Sequence, residues 1–107
     1  MRRYTTPTLT IIVEGIDLTA MDVRVTLKQG KRSLTISDPE METVTEEGRT
    51  DTKLDVTLTQ EQTALFEAVP CKVQVNFIDV DGARDATECK TVDVWPNLLP
   101  EVIAYGL

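Results

Sequence analysis

The chain has 107 residues, of which 11 are basic, 18 acidic and none histidine, for a formal net charge of −7. That length makes one domain, residues 1–107, with a core of its own and no need of disulfides or a metal. The negative balance and scattered Lys and Arg disfavour nucleic acid, and the lack of His removes the commonest general base and metal ligand. Sixteen residues are Thr and twelve are Val, β-branched types suited to a pleated surface, so the composition is that of an all-β fold.

Arg2 to Pro7 reads as an extended arm (residues 1–7), because Pro7 restricts Thr6 and has no N–H for a ladder. Leu9, Ile11 and Val13 then alternate with Thr8, Thr10 and Ile12 in a strand ending at Glu14-Gly15, with Ile12 blurring its polar face. Asp22 to Gln29 is the clearest alternation, with Val23, Val25 and Leu27 on one side. Ser33 to Ser37 returns after Gly30-Lys31 with Leu34 and Ile36 inward. Residues 38–51 hold six acids (Asp38, Glu40, Glu42, Glu46, Glu47, Asp51) against Arg49. Met41 and Val44 allow a short edge strand here, with Glu46-Glu47-Gly48-Arg49 as its turn; the stretch also reads as a solvated acidic loop, or as a cation site, since hard cations take oxygen ligands. Leu54, Val56 and Leu58 make the next strand. Thr59 suits a helix N-cap with Gln62 completing a capping box, which predicts roughly two turns from Gln60 to Phe66 crossing between sheets, with Leu65 and Phe66 packing on them.

Cys71, Val73, Val75 and Phe77 alternate with Lys72, Gln74 and Asn76, and Asp81-Gly82 supplies a hairpin turn. If Asp79 pairs with Ala83, Cys89 lies opposite Val73 and only diagonal to Cys71, a poor geometry for a bridge. Two reduced, buried thiols are expected, with a disulfide as the lesser alternative. In that register Thr87, Cys89 and Thr91 face inward while Val92 and Val94 have the opposite parity, which predicts a bulge between Cys89 and Val92. The segment 97–107 carries Leu98, Leu99, Val102, Ile103, Tyr105 and Leu107, too many apolar residues for a solvated end. Pro100, Glu101 and Gly106 suit one short helix there. Its apolar side must be covered by its own sandwich or by a neighbouring subunit, so Leu98, Leu99, Val102, Ile103 and Tyr105 form the candidate interaction segment.

No motif carries catalysis. There is no nucleophile with a base beside it, no glycine-rich phosphate loop and no Cys-x-x-Cys pair, so an enzyme is not expected and no cofactor or metal is implied. Asp79-Val80-Asp81-Gly82 looks like the middle of a calcium loop, but Phe77 would then stand at the first ligand position, which favours a hairpin turn. No stretch is long enough to span a membrane. Met1-Arg2-Arg3 is not followed by the apolar run of a signal peptide.

Arg2-Arg3-Tyr4-Thr5-Thr6-Pro7-Thr8-Leu9-Thr10, Val13-Glu14-Gly15-Ile16-Asp17-Leu18, Thr57-Leu58-Thr59-Gln60-Glu61-Gln62-Thr63, Asn97-Leu98-Leu99 and Glu101-Val102-Ile103 together resemble small proteins encoded in prophages and tailed phages of gut Firmicutes. The resemblance covers nearly the whole chain and carries no site residues. It implies an immunoglobulin-like β-sandwich serving as a tail, baseplate or head accessory protein, in the cytoplasm of the bacterial host during assembly or in the virion.

The expected fold is therefore a β-sandwich of about seven strands with one short crossover helix. The expected function is a non-enzymatic structural or binding module with protein partners, itself or other phage structural proteins, and with neither nucleic acid nor membrane. The alternative is a soluble carbohydrate- or cation-binding domain that uses the acidic stretch 38–51.

Overall fold

The computed structural model of the chain describes residues 1 to 104. It is mostly β, with β1 (Thr8–Val13), β2 (Asp22–Gln29), β3 (Arg32–Ile36), β4 (Glu40–Glu46), β5 (Arg49–Thr57), a short helix α1 (Gln60–Ala64), β6 (Cys71–Ile78), β7 (Arg84–Ala86) and β8 (Lys90–Val92). The first sheet runs β1-β5-β4; the second runs β3-β2-β6, with β7 and then β8 pairing along the other side of β6. The six strand–strand pairings among the described residues are antiparallel.

Alternation puts one face of each sheet into a shared core. Val13, Leu54 and Val56 of the first sheet and Val23, Val25, Leu27, Val73 and Val75 of the second are buried in one cluster, with Leu58 beside them. Leu9, Ile11, Leu34, Ile36 and Phe77 pack against its margins. The cluster also takes in Leu18 and Phe66, from outside the strands. Leu18 is drawn in by polar chemistry: its N–H donates to Thr52 Oγ1 (2.9 Å), and the Thr52 hydroxyl donates to the Ile16 carbonyl (2.8 Å). Thr52 is fully buried, so both bonds stitch the 14–21 loop onto β5 away from water.

The connections follow their turn chemistry. Glu47 and Gly48 both adopt positive φ (52° and 79°), the type I′ pattern, between Glu46 and Arg49, and β4 extends over seven residues. The acidic stretch is thus an edge hairpin rather than a loop. At the β6–β7 turn the Gly82 N–H donates to the Asp79 carbonyl and the Asp79 N–H to that of Ala83, with Gly82 at φ 86°. That makes a three-residue loop closed by the Asp79–Ala83 pairing on which the expected register was built. Helix α1 has the expected Thr59 cap and its reciprocal box with Gln62, but stops at Ala64. Phe66 is buried, whereas Leu65, the C-cap residue, is exposed and does not pack on the sheets as expected.

Three sequence expectations are corrected in the return arm and the terminus. The register shifts by one residue between the β6–β7 and β6–β8 pairings, so the bulge falls at Thr87–Cys89 and not between Cys89 and Val92. The Thr87 side chain accepts from the Val75 N–H (3.1 Å) while the Thr87 N–H donates to the Val75 carbonyl (2.9 Å), which anchors the bulge one step earlier. Cys89 and Thr91 are consequently exposed, Val92 packs against the core and Val94 is buried. Both cysteines are free, with Cys71 buried and Cys89 on the surface. The expected C-terminal helix is absent from residues 97–104, which run irregularly; Tyr105 to Leu107 lie outside the described residues.

Candidate functional site

Two features at the margin of the two sheets offer more than core packing. The first is the meeting of both chain ends with α1. The arm 1–7 is pinned by its backbone: Trp95 N–H donates to Met1 O (2.8 Å) and Arg3 N–H to Trp95 O (2.9 Å), around a parallel bridge between Arg2 and Trp95. Arg2 donates to the Pro96 carbonyl and its guanidinium lies 5.9 Å from the Trp95 ring centre. Arg3 Nη2 reaches the Ala64 carbonyl at the end of α1 (3.0 Å), and Asn97 donates to the Arg3 carbonyl (3.0 Å). Buried Thr63 exchanges bonds with both backbone groups of Thr5.

The C-terminal segment is tied to the same end. Ile103 N–H donates to Gln60 Oε1 (2.8 Å), and Gln60 Nε2 donates to the Ile103 carbonyl (3.0 Å). This tether fixes the backbone and leaves the side chains outside. Leu98 is fully exposed, Ile103 is 61% exposed, and Leu99 and Val102 remain about half exposed. Four residues of the candidate interaction segment therefore stand in water beside half-exposed Trp95; the fifth, Tyr105, lies outside the described residues. Packing in cis does not cover them.

The second feature, which the sequence reading did not identify, is a groove between β1 and β8. It encloses about 790 Å³ and is lined along its length by Thr8 to Glu14, with Val73 and Val75 at its floor and Thr87, Glu88, Lys90 and Val92 opposite. Among the described residues β1 pairs only with β5, so its other side is a sheet edge that no described strand covers. The Leu58 N–H bond to the Pro7 carbonyl (2.9 Å) sets the phase of that ladder. Leu9, Ile11 and Val13 exchange bonds with β5, and Thr8, Thr10 and Ile12 turn their N–H and C=O groups toward the groove. Ile12 is half exposed on the polar parity of β1, a signal of its outer face and not of its open edge.

The remaining candidates resolve into structure. Asp79 Oδ1 accepts from the Asp81 and Ala83 N–H groups, so the carboxylate of the calcium-like motif caps its own turn. Along the acidic hairpin, Lys53 pairs with Glu42 and Asp55, and Arg49 with Asp51. Among the described residues no three Asp, Glu, Cys or His side chains converge as a metal group. Asp17 and Asp22 both have pKa values below the ordinary carboxylate range, held there by hydrogen bonds from Thr19 and Arg24; a general acid needs the opposite shift. Burial pushes the Cys71 thiol up. No described helix is long and apolar enough to cross a membrane. No family model, curated protein or solved structure matches the chain.

Proposed function

We propose that this chain is a non-enzymatic structural or binding module of a phage or prophage particle, an immunoglobulin-like sandwich that docks protein partners through its C-terminal segment. The strand pairings support the sandwich assignment. The orders β1-β5-β4 and β3-β2-β6-β8 correspond to B-E-D and C′-C-F-G of immunoglobulin sheets, with α1 at the E-to-F crossing and no described strand in the place of A.

The observation that carries docking is the exposure of Leu98, Leu99, Val102 and Ile103 on a segment whose backbone is nevertheless held by Gln60. Contiguous apolar surface rimmed by polar residues marks a protein contact. Deleting residues 98–107 tests it. A docking segment, once removed, leaves a folded monomer with a near-unchanged melting temperature and abolishes the oligomer or partner complex seen by sizing. A fall in melting temperature at every protein concentration would instead mean that the segment covers core surface. The phage context rests on the resemblance of the terminal and Thr57–Thr63 segments, and places the protein in the host cytoplasm during assembly or in the virion. A gene position away from tail and capsid genes would overturn it.

A further inference from the structure

We infer that the groove between β1 and β8, the open place of the sandwich's first strand, receives residues 98–107 of a second copy as an added β-strand. This rests on the docking role of that segment and names what it docks into.

The groove has the two properties strand addition requires. Its wall presents N–H and C=O groups of Thr8, Thr10 and Ile12 that no described strand pairs, and its floor is apolar, with Val73 and Val75 beneath. Main-chain bonds to such an edge supply affinity, and alternate side chains entering the floor supply specificity. In an immunoglobulin sandwich this edge is where strand A lies. The arm that precedes β1 is committed elsewhere, through its backbone bonds to Trp95.

The sequence 101–107 has the matching pattern. Ile103, Tyr105 and Leu107 share one parity and Val102, Ala104 and Gly106 the other, a large-and-small alternation of strand period. Seven extended residues span about 23 Å and the six of β1 about 20 Å. Charge weighs against the opposite edge more than against this one, whose lining holds Glu14 and Glu88 beside Lys90. Two copies each carrying −7 repel, yet β1 has no charged residue and 97–107 only Glu101. The opposite edge of the same sheet, β4, carries Glu40, Glu42 and Glu46 and is closed to a like-charged partner. In cis, Ile103 is bonded to Gln60, and none of residues 98–104 lines the groove. Each copy thus offers one groove and one strand, a head-to-tail contact that propagates into a ring or filament.

The test uses the full chain, Ile12→Pro and Ile103→Asp, alone and mixed, by light scattering over a concentration series. Ile12 turns its N–H away from β5, so proline removes a groove donor without breaking the ladder; Ile103 is exposed, so aspartate disturbs no core. The wild type should grow with concentration, each variant should stay monomeric, and the equimolar mixture should form dimers that stop at two, pairing the one intact groove with the one intact strand. In assembled wild type, the Thr8, Thr10 and Ile12 amides should exchange at least ~10-fold more slowly than in dilute monomer, a readout that stands even if Ile12→Pro fails to fold. Wild-type-like assembly of Ile12→Pro, or unprotected β1 amides in the assembly, overturns the groove while leaving the docking segment intact. A wild type that stays monomeric overturns the second copy as the occupant. Normal assembly of Ile103→Asp overturns both the groove and the docking segment.

Discussion

Gln60 and Ile103 are bonded in both directions, the side-chain amide of one pairing with the backbone N–H and C=O of the other at 2.8 and 3.0 Å. A glutamine amide has the donor and acceptor geometry of a peptide group, so the first residue of α1 holds the terminal segment as a neighbouring strand would. Position is fixed by polar bonds while the apolar side chains of Leu98, Leu99, Val102 and Ile103 stay at least partly outside.

Replacing Gln60 by Ala should release that tether with little effect on the sandwich. Two exposed bonds contribute about 0.5 kcal/mol each, so the melting temperature should move by only about 5 °C. The Ile103 amide should exchange at the rate of an open chain. Retained protection at Ile103 would show that apolar contacts hold the segment.

Gln29 should be far less replaceable. Its amide donates to the Glu67 and Val69 carbonyls (3.0 and 2.7 Å) and accepts from the Glu67 N–H (2.8 Å), fastening the loop between α1 and β6 to the end of β2. Gln29→Leu keeps the bulk but strands these backbone groups at a buried position, which should cost about 2–3 kcal/mol in chemical denaturation. A cost under half of that would mean water replaces the amide.

Val75 and Gln74 are sequence neighbours with opposite facing. Val75 is 1% exposed between the sheets, and Asp there buries an unpaired charge, so Val75→Asp should not fold. Gln74 is half-buried and donates once to the Thr87 carbonyl, so Gln74→Asp should lose about 1 kcal/mol and still fold. Circular dichroism of the two variants side by side checks the facing of β6.

The two thiols should separate cleanly. An alkylating reagent should modify Cys89 rapidly in the native protein and Cys71 only after denaturation. Because burial raises the Cys71 pKa above its unfolded value, the fold favours the protonated thiol. That contribution is fully present below the ordinary thiol pKa and is lost as pH rises through the folded one. Melting temperature should therefore decline more steeply at alkaline pH in the wild type than in Cys71→Val; parallel curves would remove the thiol as the cause.

The strand cores, the Thr59 cap and the facing of β2, β5 and β6 were legible in the sequence, because period and capping are local and each depends on residues at most a few positions apart. So was the need for a bulge in the return arm, since Val92 and Val94 break the parity of Cys89. Its site was decided by Thr87, whose hydroxyl and N–H both reach Val75 twelve positions away, and that placement turned Cys89 outward. The same limit applies to Leu18, carried into the core by a hydroxyl 34 residues along the chain. The apolar segment at 98–103 was visible as composition, but its exposure depends on Gln60, 43 residues earlier. Nothing in the local pattern of β1 says which of its two edges finds a partner. A strand's period specifies its faces, whereas its edges are specified only by which other strands the assembled sheets place alongside.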